Sequence, residues 1–394
     1  GSWEQITEKH PEWQGTTLAF INFEMPAIKS GQKAGIVQTS YEFNTEVNDY
    51  IEQDLLSSSY YKDGLTVAND HNVGMSDCIS YQRNGVPVII NRPDFKEPVE
   101  GDVSSSGSWM MDRYHTVYDD MSTYSSELME YNIAFYGGLA QHIDNNPALE
   151  LDLASRCDAL AAQIEGTDAY LTDEQKGLVE QYSKNLKAMK KAGAGQLKKA
   201  QDINAEYEAA YNEGADESEL AEIFAKGVEL NKTTLAAFRV MEDELMGIMG
   251  SDTDMALHMT AQSTLDCYSR VVSDLKSGKV TDDSEDCTLA VMAGIGGGAE
   301  YVAFGYSKYS YDKLLESANC DVVDDTWGAG KSARVNDTYA ATQNVLAQLY
   351  GEGKADYSLS ISEYESAAEK VKVELASFLI KEIAGMEKVA GMLK

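Results

Sequence analysis

The chain has 394 residues, a length that accommodates two or three ordinary domains. Its apolar fraction is 43%, and no stretch approaches the run of ~20 apolar residues that a membrane-spanning helix needs. Against 65 acidic residues there are only 32 Lys and Arg, so the formal net charge is −33. Because such a surface repels nucleic acid and anionic membranes, we expect neither as a partner.

The first 145 residues alternate strand-like and helix-like segments, which predicts a mixed α/β region. In chain order, the predicted strands are 16–25, 34–39, 64–68 and 86–91. The predicted helices are a helix tail over 3–13, then 41–57, 76–84 and 121–145. Because the strands 16–25 and 86–91 are almost continuously apolar, as strands buried on both faces are, we expect a mostly parallel sheet.

Beyond residue 146 the apolar residues recur at helical spacing, and no comparable strand signal follows. The predicted helices are 150–165, 173–191, 196–211, 218–249, 254–276, 299–317, 333–350 and 361–394. We therefore predict an α/β domain over 1–146 and an all-α helical bundle over 147–394. The five cysteines form no C-x-x-C pair, and a single bridge between Cys267 and Cys287 stays possible.

A histidine flanked by a tyrosine and carboxylates stands out in the segment 114–120, YHTVYDD. Imidazole is a zinc ligand, and a neighbouring carboxylate fixes its tautomer. Glu24 closes the first apolar strand, where a carboxylate is costly unless its charge is compensated. Active sites of open α/β sheets lie at the carboxyl ends of strands. Glu24 and His115 are therefore candidate metal ligands, with a solvated Glu24 and a structural His115 as the alternatives.

Four segments carry a resemblance to a known family. They are 1–12 (GSWEQITEKHPE), 18–25 (LAFINFEM), 74–89 (GMSDCISYQRNGVPVI) and 113–136 (RYHTVYDDMSTYSSELMEYNIAFY). In this order they resemble the C-terminal portion of the co-catalytic di-zinc aminopeptidases and glutamate carboxypeptidases, zinc exopeptidases that include transferrin-receptor-like proteins. The last segment is the closest match, since it is similar to the family's Tyr-His-Thr-x-x-Asp segment. Residues 149–152 (LELD) and the helix after them are similar to the start of the helical dimerisation domain of one branch.

The resemblance implies a role for each matching residue. His115 would be a zinc ligand, and Glu24, standing where the family has Asp, would be a ligand to the other zinc. Tyr114 would donate its hydroxyl to the oxyanion of the tetrahedral intermediate. Ser76 and Asp77 would line the substrate pocket.

Several parts of the family's site are not matched in this sequence. A two-metal hydrolase also needs a bridging carboxylate, further ligands and a general base. In the family they come from a His-x-Asp, a loop Asp and a Glu-Glu pair, all of which precede the segment that resembles residues 1–12. Of the other histidines, His71 is the one candidate near the site, and Asp119 is interpreted as a supporting or structural carboxylate. We expect the chain to hold part of the site, with the rest supplied by a longer precursor or a partner chain.

Three hypotheses follow for the function. The first is a zinc-dependent exopeptidase that hydrolyses peptide bonds with water activated by two metals, acts on a peptide substrate once the site is complete, and forms a homo-oligomer through its helical domain. On its own this chain would bind at most one zinc, weakly, and hydrolyse no peptide. The alternative is a non-catalytic, transferrin-receptor-like binding or assembly module, or a mostly structural helical protein. The segment 294–299 (GIGGGA) matches a dinucleotide-binding pattern weakly and is interpreted as a helix junction.

Overall fold

The computed structural model describes residues 1–28, 31–52, 76–95, 113–249, 252–284, 287–298, 301–320, 330–352 and 354–394. The predicted strand 64–68 and the candidate His71 lie outside these residues. The chain divides into two compact units. The first comprises Gly1–Arg156, Lys190–Glu242 and Val389–Lys394, and the second comprises Cys157–Met189 and Asp243–Lys388. Parts of the predicted helical bundle thus group with the N-terminal region, so these units do not follow the sequence boundary at residue 146.

The N-terminal region combines three strands with short helices. Its elements are α1 (Ser2–Glu4), β1 (Phe20–Asn22), β2 (Gly31–Thr39), α2 (Asn44–Tyr50), α3 (Cys78–Gln82), β3 (Val88–Phe95) and α4 (Ser126–Asn145). The rest of the chain is mainly helical. It contains α5 (Arg156–Gln163), α6 (Gly177–Glu213), α7 (Glu217–Glu244), β4 (Met246–Met249), β5 (Asp252–Ala256), α8 (Leu257–Ser277), α9 (Thr288–Gly294), α10 (Tyr301–Gly305), α11 (Lys308–Ala318), α12 (Tyr339–Leu349) and α13 (Ser358–Met392).

The N-terminal sheet is mixed among the described residues. Its strand order is β1-β3-β2, and β1 runs parallel to β3, with Phe20 opposite Val88 and Asn22 opposite Ile90. β2 runs antiparallel to β3. The expected mostly parallel sheet is therefore present for one strand pair and wrong for the other. The apolar run of a strand reports its burial and leaves its direction open, which is why the sequence did not reveal this.

One face of this sheet is covered by the N-terminal residues and by α3. The buried side chains that form this part of the core are Ile6, Cys78, Tyr81, Val86, Val88 and Ile90. Trp13 and Phe20 pack against them, and the ring of Phe20 stacks on that of Tyr81 with centroids 3.8 Å apart. Val88 and Ile90 alternate along β3, as side chains on one face of a strand must. This packing fixes β1, whose carboxyl end leads to Glu24.

The structure confirms that a large portion of the chain is helical, but several predicted helix boundaries are wrong. The predicted helices 173–191 and 196–211 are one helix, α6. The predicted helix 218–249 ends at Glu244, and the antiparallel pair β4–β5 follows it, so this region is not all-α. Strands of four and five residues leave too short a pattern to be distinguished from helix ends. No helix in the described part of the chain is both long and apolar enough to cross a membrane.

The predicted option of a disulfide between Cys267 and Cys287 is not realised, since both are thiols. Instead, the Sγ of Cys287 accepts a hydrogen bond from the backbone N–H of Ala290 at 3.4 Å. It thereby caps α9, whose first turn would otherwise leave that donor without a partner. The segment 294–299 begins at the last residue of α9, in agreement with its interpretation as a helix junction.

A buried group of four charges, here called the Arg–Glu cluster, joins the sheet region to helices of the first unit. It comprises Glu42, Arg83, Arg156 and Glu242, each at most 4% exposed. Arg156 donates through Nε and Nη2 to the two oxygens of Glu42 at 2.5 and 2.8 Å. Glu242 accepts from Arg83 at 2.6 Å and from Arg156 at 3.1 Å. The two carboxyl groups are matched in number by two guanidinium groups, although burial raises the pKa of Glu42 against the lowering effect of Arg156.

Candidate functional site

A pocket of about 550 Å³ lies beyond the carboxyl end of β1, and we call it the Glu24 pocket. It is lined by Glu24, Met25, Pro26, Ala27, Ile28, Tyr114, His115, Asp119, Asp120, Met121, Thr123 and Tyr124. The predicted ligands Glu24 and His115 therefore line one pocket together with the predicted oxyanion donor Tyr114. Asp119 lines it as well.

Helix α4 holds the segment that follows Glu24. Asn132, on the first turns of this helix, donates its Nδ2 hydrogen to the carbonyl oxygen of Pro26 at 2.8 Å. The backbone N–H of Ser125, the residue that caps α4, donates to the carbonyl oxygen of Ala27, also at 2.8 Å. One wall of the pocket is thus held by hydrogen bonds to the carbonyl oxygens of Pro26 and Ala27.

The loop that carries His115 is closed by its own hydrogen bonds. Thr116 Oγ1 donates to the carbonyl oxygen of Arg113 at 2.8 Å and accepts from the backbone N–H of Tyr118 at 3.2 Å. Arg113 Nη1 donates to the carbonyl oxygen of Tyr118 at 2.5 Å. Asp120 then accepts the backbone N–H of Ser122 at 2.8 Å and so begins the turn before α4. The loop presents His115 at its exposed tip.

Two residues of the Glu24 pocket have unusual backbone conformations. Met25 has φ = 43° and His115 has φ = 59°, and they are the only non-glycine residues with positive φ in the described part of the chain. This left-handed conformation costs about 1–2 kcal/mol for an L-residue, so the surroundings must impose it. Such strain concentrates at functional sites. The imidazole of His115 also stacks on the ring of Tyr114, with centroids 3.8 Å apart and planes 21° apart.

Glu24 is half-buried at the end of the strand and is oriented by a neighbour. Asn22 Nδ2 donates to its Oε2 at 3.3 Å. The nearby thiol of Cys78 is fully buried, and burial raises its pKa to about 12, with the charges of Glu24 and Asp77 adding to the rise. Cys78 is therefore a protonated core side chain, and it offers neither a nucleophile nor a thiolate ligand.

The predicted substrate-pocket residues Ser76 and Asp77 lie elsewhere. They precede α3, where Ser76 Oγ accepts the backbone N–H of Cys78 at 3.3 Å and Asp77 is exposed. Neither is among the residues that line the Glu24 pocket. Their role in substrate binding stays a prediction.

The donors at this pocket suit zinc by type but are too few. A carboxylate and an imidazole are both zinc ligands, whereas a catalytic zinc has three protein ligands and a structural zinc has four. Among the residues that the structure describes, no group of three or more His, Cys, Asp or Glu side chains could hold a metal ion. The described residues therefore do not fit a two-zinc site.

Sequence reasoning missed the role of Met25 in this pocket and left Asp119 as a supporting carboxylate. A positive φ at a methionine has no sequence signature, because L-residues with long side chains rarely adopt that conformation. For Asp119, the signal was its position four residues after His115 in a loop that turns back on itself.

Comparison with protein-family models matches residues 1–135 to the model described as Peptidase family M28. Comparisons with curated proteins and with solved structures found no match.

Proposed function

We propose that residues 1–135 contribute part of a zinc-dependent exopeptidase site. The basis is that this region is zinc-exopeptidase-like and matches peptidase family M28. The reaction class is the metal-assisted hydrolysis of a peptide bond at a chain end. One observation carries the proposal, which is that Glu24 and His115 line the same pocket of about 550 Å³ at the end of β1.

Within this proposal each residue has a distinct task. Glu24 and His115 would be ligands, one to each zinc of the complete site. The stacked ring of Tyr114 and the closed loop restrict the orientation of the His115 imidazole, which lowers the entropy cost of binding a metal. The hydroxyl of Tyr114 is the donor for the oxyanion. The remaining ligands and the general base would come from residues beyond those described, or from a partner chain.

The substrate that we propose is a peptide. The formal net charge of −33 opposes the approach of a phosphate backbone, so nucleic acid is an unsuitable substrate. Association of two copies through the helical region, as in the branch that the sequence resembles, is part of the same proposal.

Metal titration of the full chain tests the ligand assignment. We expect the wild-type chain to bind one Co²⁺ or Zn²⁺ weakly, and the double substitution His115→Ala with Glu24→Gln to abolish that binding. His10→Ala is the matched control, because His10 and Glu12 form another imidazole–carboxylate pair, with 3.0 Å between Nδ1 and Oε1, outside the pocket. The readouts are calorimetry with Zn²⁺ and the visible absorption of bound Co²⁺.

Three outcomes would contradict the proposal. Binding that survives both pocket substitutions would place the metal elsewhere. Two tight zinc sites, or turnover of an aminoacyl-anilide substrate by this chain alone, would show that the site is already complete. If this chain alone turned over the substrate and His115→Ala abolished that turnover, His115 would remain a ligand. Only the claim that the site is incomplete would then be rejected.

The second candidate function is a non-catalytic binding or assembly module on the same fold. The observation that favours it is the lack of a three-donor metal group among the described residues. If the wild-type chain shows no saturable metal binding at all, this second function replaces the first.

A further inference from the structure

A second pocket, separate from the Glu24 pocket, lies within the first unit and has a volume of about 650 Å³. We call it the acidic pocket. It is lined by Asp49, His142, Asp144, Asn145, Asn146, Glu150, Gln201, Asn204, Ala205, Tyr207, Glu208, Tyr211 and Phe224. Four of these side chains are carboxylates, and no Lys or Arg is among the described residues that line the pocket. The amides of Asn204 and its neighbours add further polar groups to the walls.

The described residues that line this pocket include more carboxylates than basic side chains. Burial raises the pKa of Asp49 to about 6, and the charge of Glu150 adds to the rise. Beside the lining lies Glu46, which is 1% exposed. Its Oε1 accepts no hydrogen bond within the described structure and lies 3.5 Å from Nε2 of His142, a lining residue. A cation placed in the pocket would lower the energy of the ionised carboxylates that line it.

Aromatic and apolar surface adjoins the carboxylates. Tyr207 and Phe224 meet edge to face, with ring centroids 5.9 Å apart. The same two rings line a neighbouring groove of about 590 Å³, whose other lining residues are the apolar Leu220, Ala221, Ala225 and Val228 and the acidic Glu217 and Glu229. Aromatic faces attract organic cations, and apolar walls favour an alkyl chain, whereas a hydrated metal ion gains nothing from either.

We propose that the acidic pocket binds the ammonium group of a small amphiphilic amine and that the adjoining groove takes its alkyl chain. The Tyr207–Phe224 pair lies between the two ends of this ligand. Each volume is within the range of small-molecule sites, so a free amine fits without the backbone of a peptide. This site is independent of the zinc proposal, because none of the described residues lines both the acidic pocket and the Glu24 pocket.

Calorimetry on the full chain with n-hexylammonium chloride is the direct test. We expect saturable binding of one ligand per chain, and roughly tenfold or greater weakening for n-propylammonium, which lacks the buried methylene groups. Neither 1-hexanol nor Mg²⁺ should bind at this site. Equal binding of 1-hexanol, or binding of a lysine-containing peptide in the absence of amine binding, would overturn the proposal.

Paired variants locate the site. Asp144→Asn with Glu208→Gln removes two exposed carboxylates of the pocket, and Glu206→Gln with Glu213→Gln makes the same charge change outside it. We expect the first pair to weaken hexylammonium binding roughly fivefold or more and the second to leave it unchanged. Val228→Ser, in the groove alone, should weaken hexylammonium and not propylammonium. Equal effects of the two pairs would reject the site, and circular dichroism checks that each variant is folded.

Discussion

At the scale of single residues, the buried carboxyl group of Glu46 sets a pH dependence of stability. Burial raises its pKa from 4.5 to about 8, and Nε2 of His142, at 3.5 Å, is too distant to offset that effect with a strong hydrogen bond. Between these two pH values the folded chain holds a proton that the unfolded chain has lost. The contribution of Glu46 to stability therefore falls as pH rises through this window.

Replacing Glu46 by Gln keeps an acceptor for the backbone N–H of Glu150, which Glu46 binds at 2.7 Å, and removes the titration. We expect Glu46→Gln to be more stable than the wild type at pH 8 by about 1–3 kcal/mol, and nearly equal to it at pH 5. Urea denaturation at both pH values measures the difference. If the two proteins lose stability in parallel from pH 5 to pH 8, Glu46 is ionised in the folded state.

The second unit contains a buried ion pair between His258 and Glu382, both fully buried. Nδ1 of His258 lies 2.8 Å from Oε2 of Glu382, and Nε2 lies 3.2 Å from the carbonyl oxygen of Gln163. Both neighbours are acceptors, so a doubly protonated imidazole satisfies them. Burial lowers the pKa of His258, but the charge and hydrogen bond of Glu382 outweigh it and raise that pKa above 6.5. The stabilisation is complete below pH 6.5 and is lost as pH rises through the folded pKa.

At pH 6, Glu382→Gln should therefore lower the free energy of unfolding by about 3 kcal/mol, since it leaves a buried imidazolium without its counter-ion. The matched control is Glu365→Gln, which breaks an exposed pair with Lys276 at 2.6 Å and should cost less than about 1 kcal/mol. Denaturant titrations of both variants give the comparison. Equal costs would mean that the buried pair contributes no more than a surface pair.

Candidate site residues could be predicted from the sequence only where they lie in a recognisable segment. Glu24 and His115 could be predicted to lie together, as they do in the Glu24 pocket, because one ends an apolar strand and the other lies in a Tyr-His-Thr segment. Their role as metal ligands stays a prediction. Glu46 and His142 could not be predicted in this way, because they are brought together by α2 and α4, far apart in sequence, and neither has a distinctive local pattern.

At the scale of elements, the glycines of α6 explain a wrong prediction. Helices were expected on both sides of residues 192–195, yet α6 is continuous. A side chain at Gly193 would place its Cβ 2.9 Å from the backbone nitrogen of Ala154 and from the carbonyl carbon of Leu153. The glycine is therefore needed for close packing of a helix on a neighbouring segment, and it does not end the helix. Local propensity cannot distinguish these two uses.

Substituting the two nearby glycines of α6 tests this explanation. Gly193→Ala should destabilise the protein by about 1–3 kcal/mol, because the added methyl group forces the backbones apart. Gly195→Ala has no atom within 4 Å of the new Cβ and should instead stabilise by up to about 1 kcal/mol through helix propensity. Opposite signs in thermal or urea denaturation are the expected result, and a gain from both substitutions would contradict the packing argument.

At the scale of the whole molecule, the net charge of −33 makes self-repulsion a general cost of folding. Raising NaCl from about 20 to 300 mM shortens the Debye length to less than 10 Å and screens this repulsion. We expect the melting temperature to rise over that range by a few degrees. Sucrose at equal osmolality stabilises folded proteins without screening charge, so only a rise beyond the one that sucrose gives is attributed to screening. A fall in melting temperature with salt would show that surface ion pairs outweigh the repulsion.

The wider organisation of the molecule was predictable only in outline. The change from mixed to helical sequence near residue 146 could be predicted from the spacing of apolar residues, because that spacing is visible within each segment alone. The grouping of Lys190–Glu242 with the N-terminal region could not, because it depends on contacts between segments distant in the chain. The Arg–Glu cluster is one such contact, and its members are separated by up to 200 residues, from Glu42 to Glu242.

That cluster has a practical consequence for anyone who wishes to study the region matched to the peptidase family by itself. A fragment cut after residue 135 would retain Glu42 and Arg83 but lose Arg156 and Glu242, the side chains that neutralise them. Each unpaired charge would either stay buried, at a cost of several kcal/mol, or become hydrated through local unfolding of the residues around it. Expression boundaries should therefore be drawn beyond Glu242, well past the end of the recognisable homology.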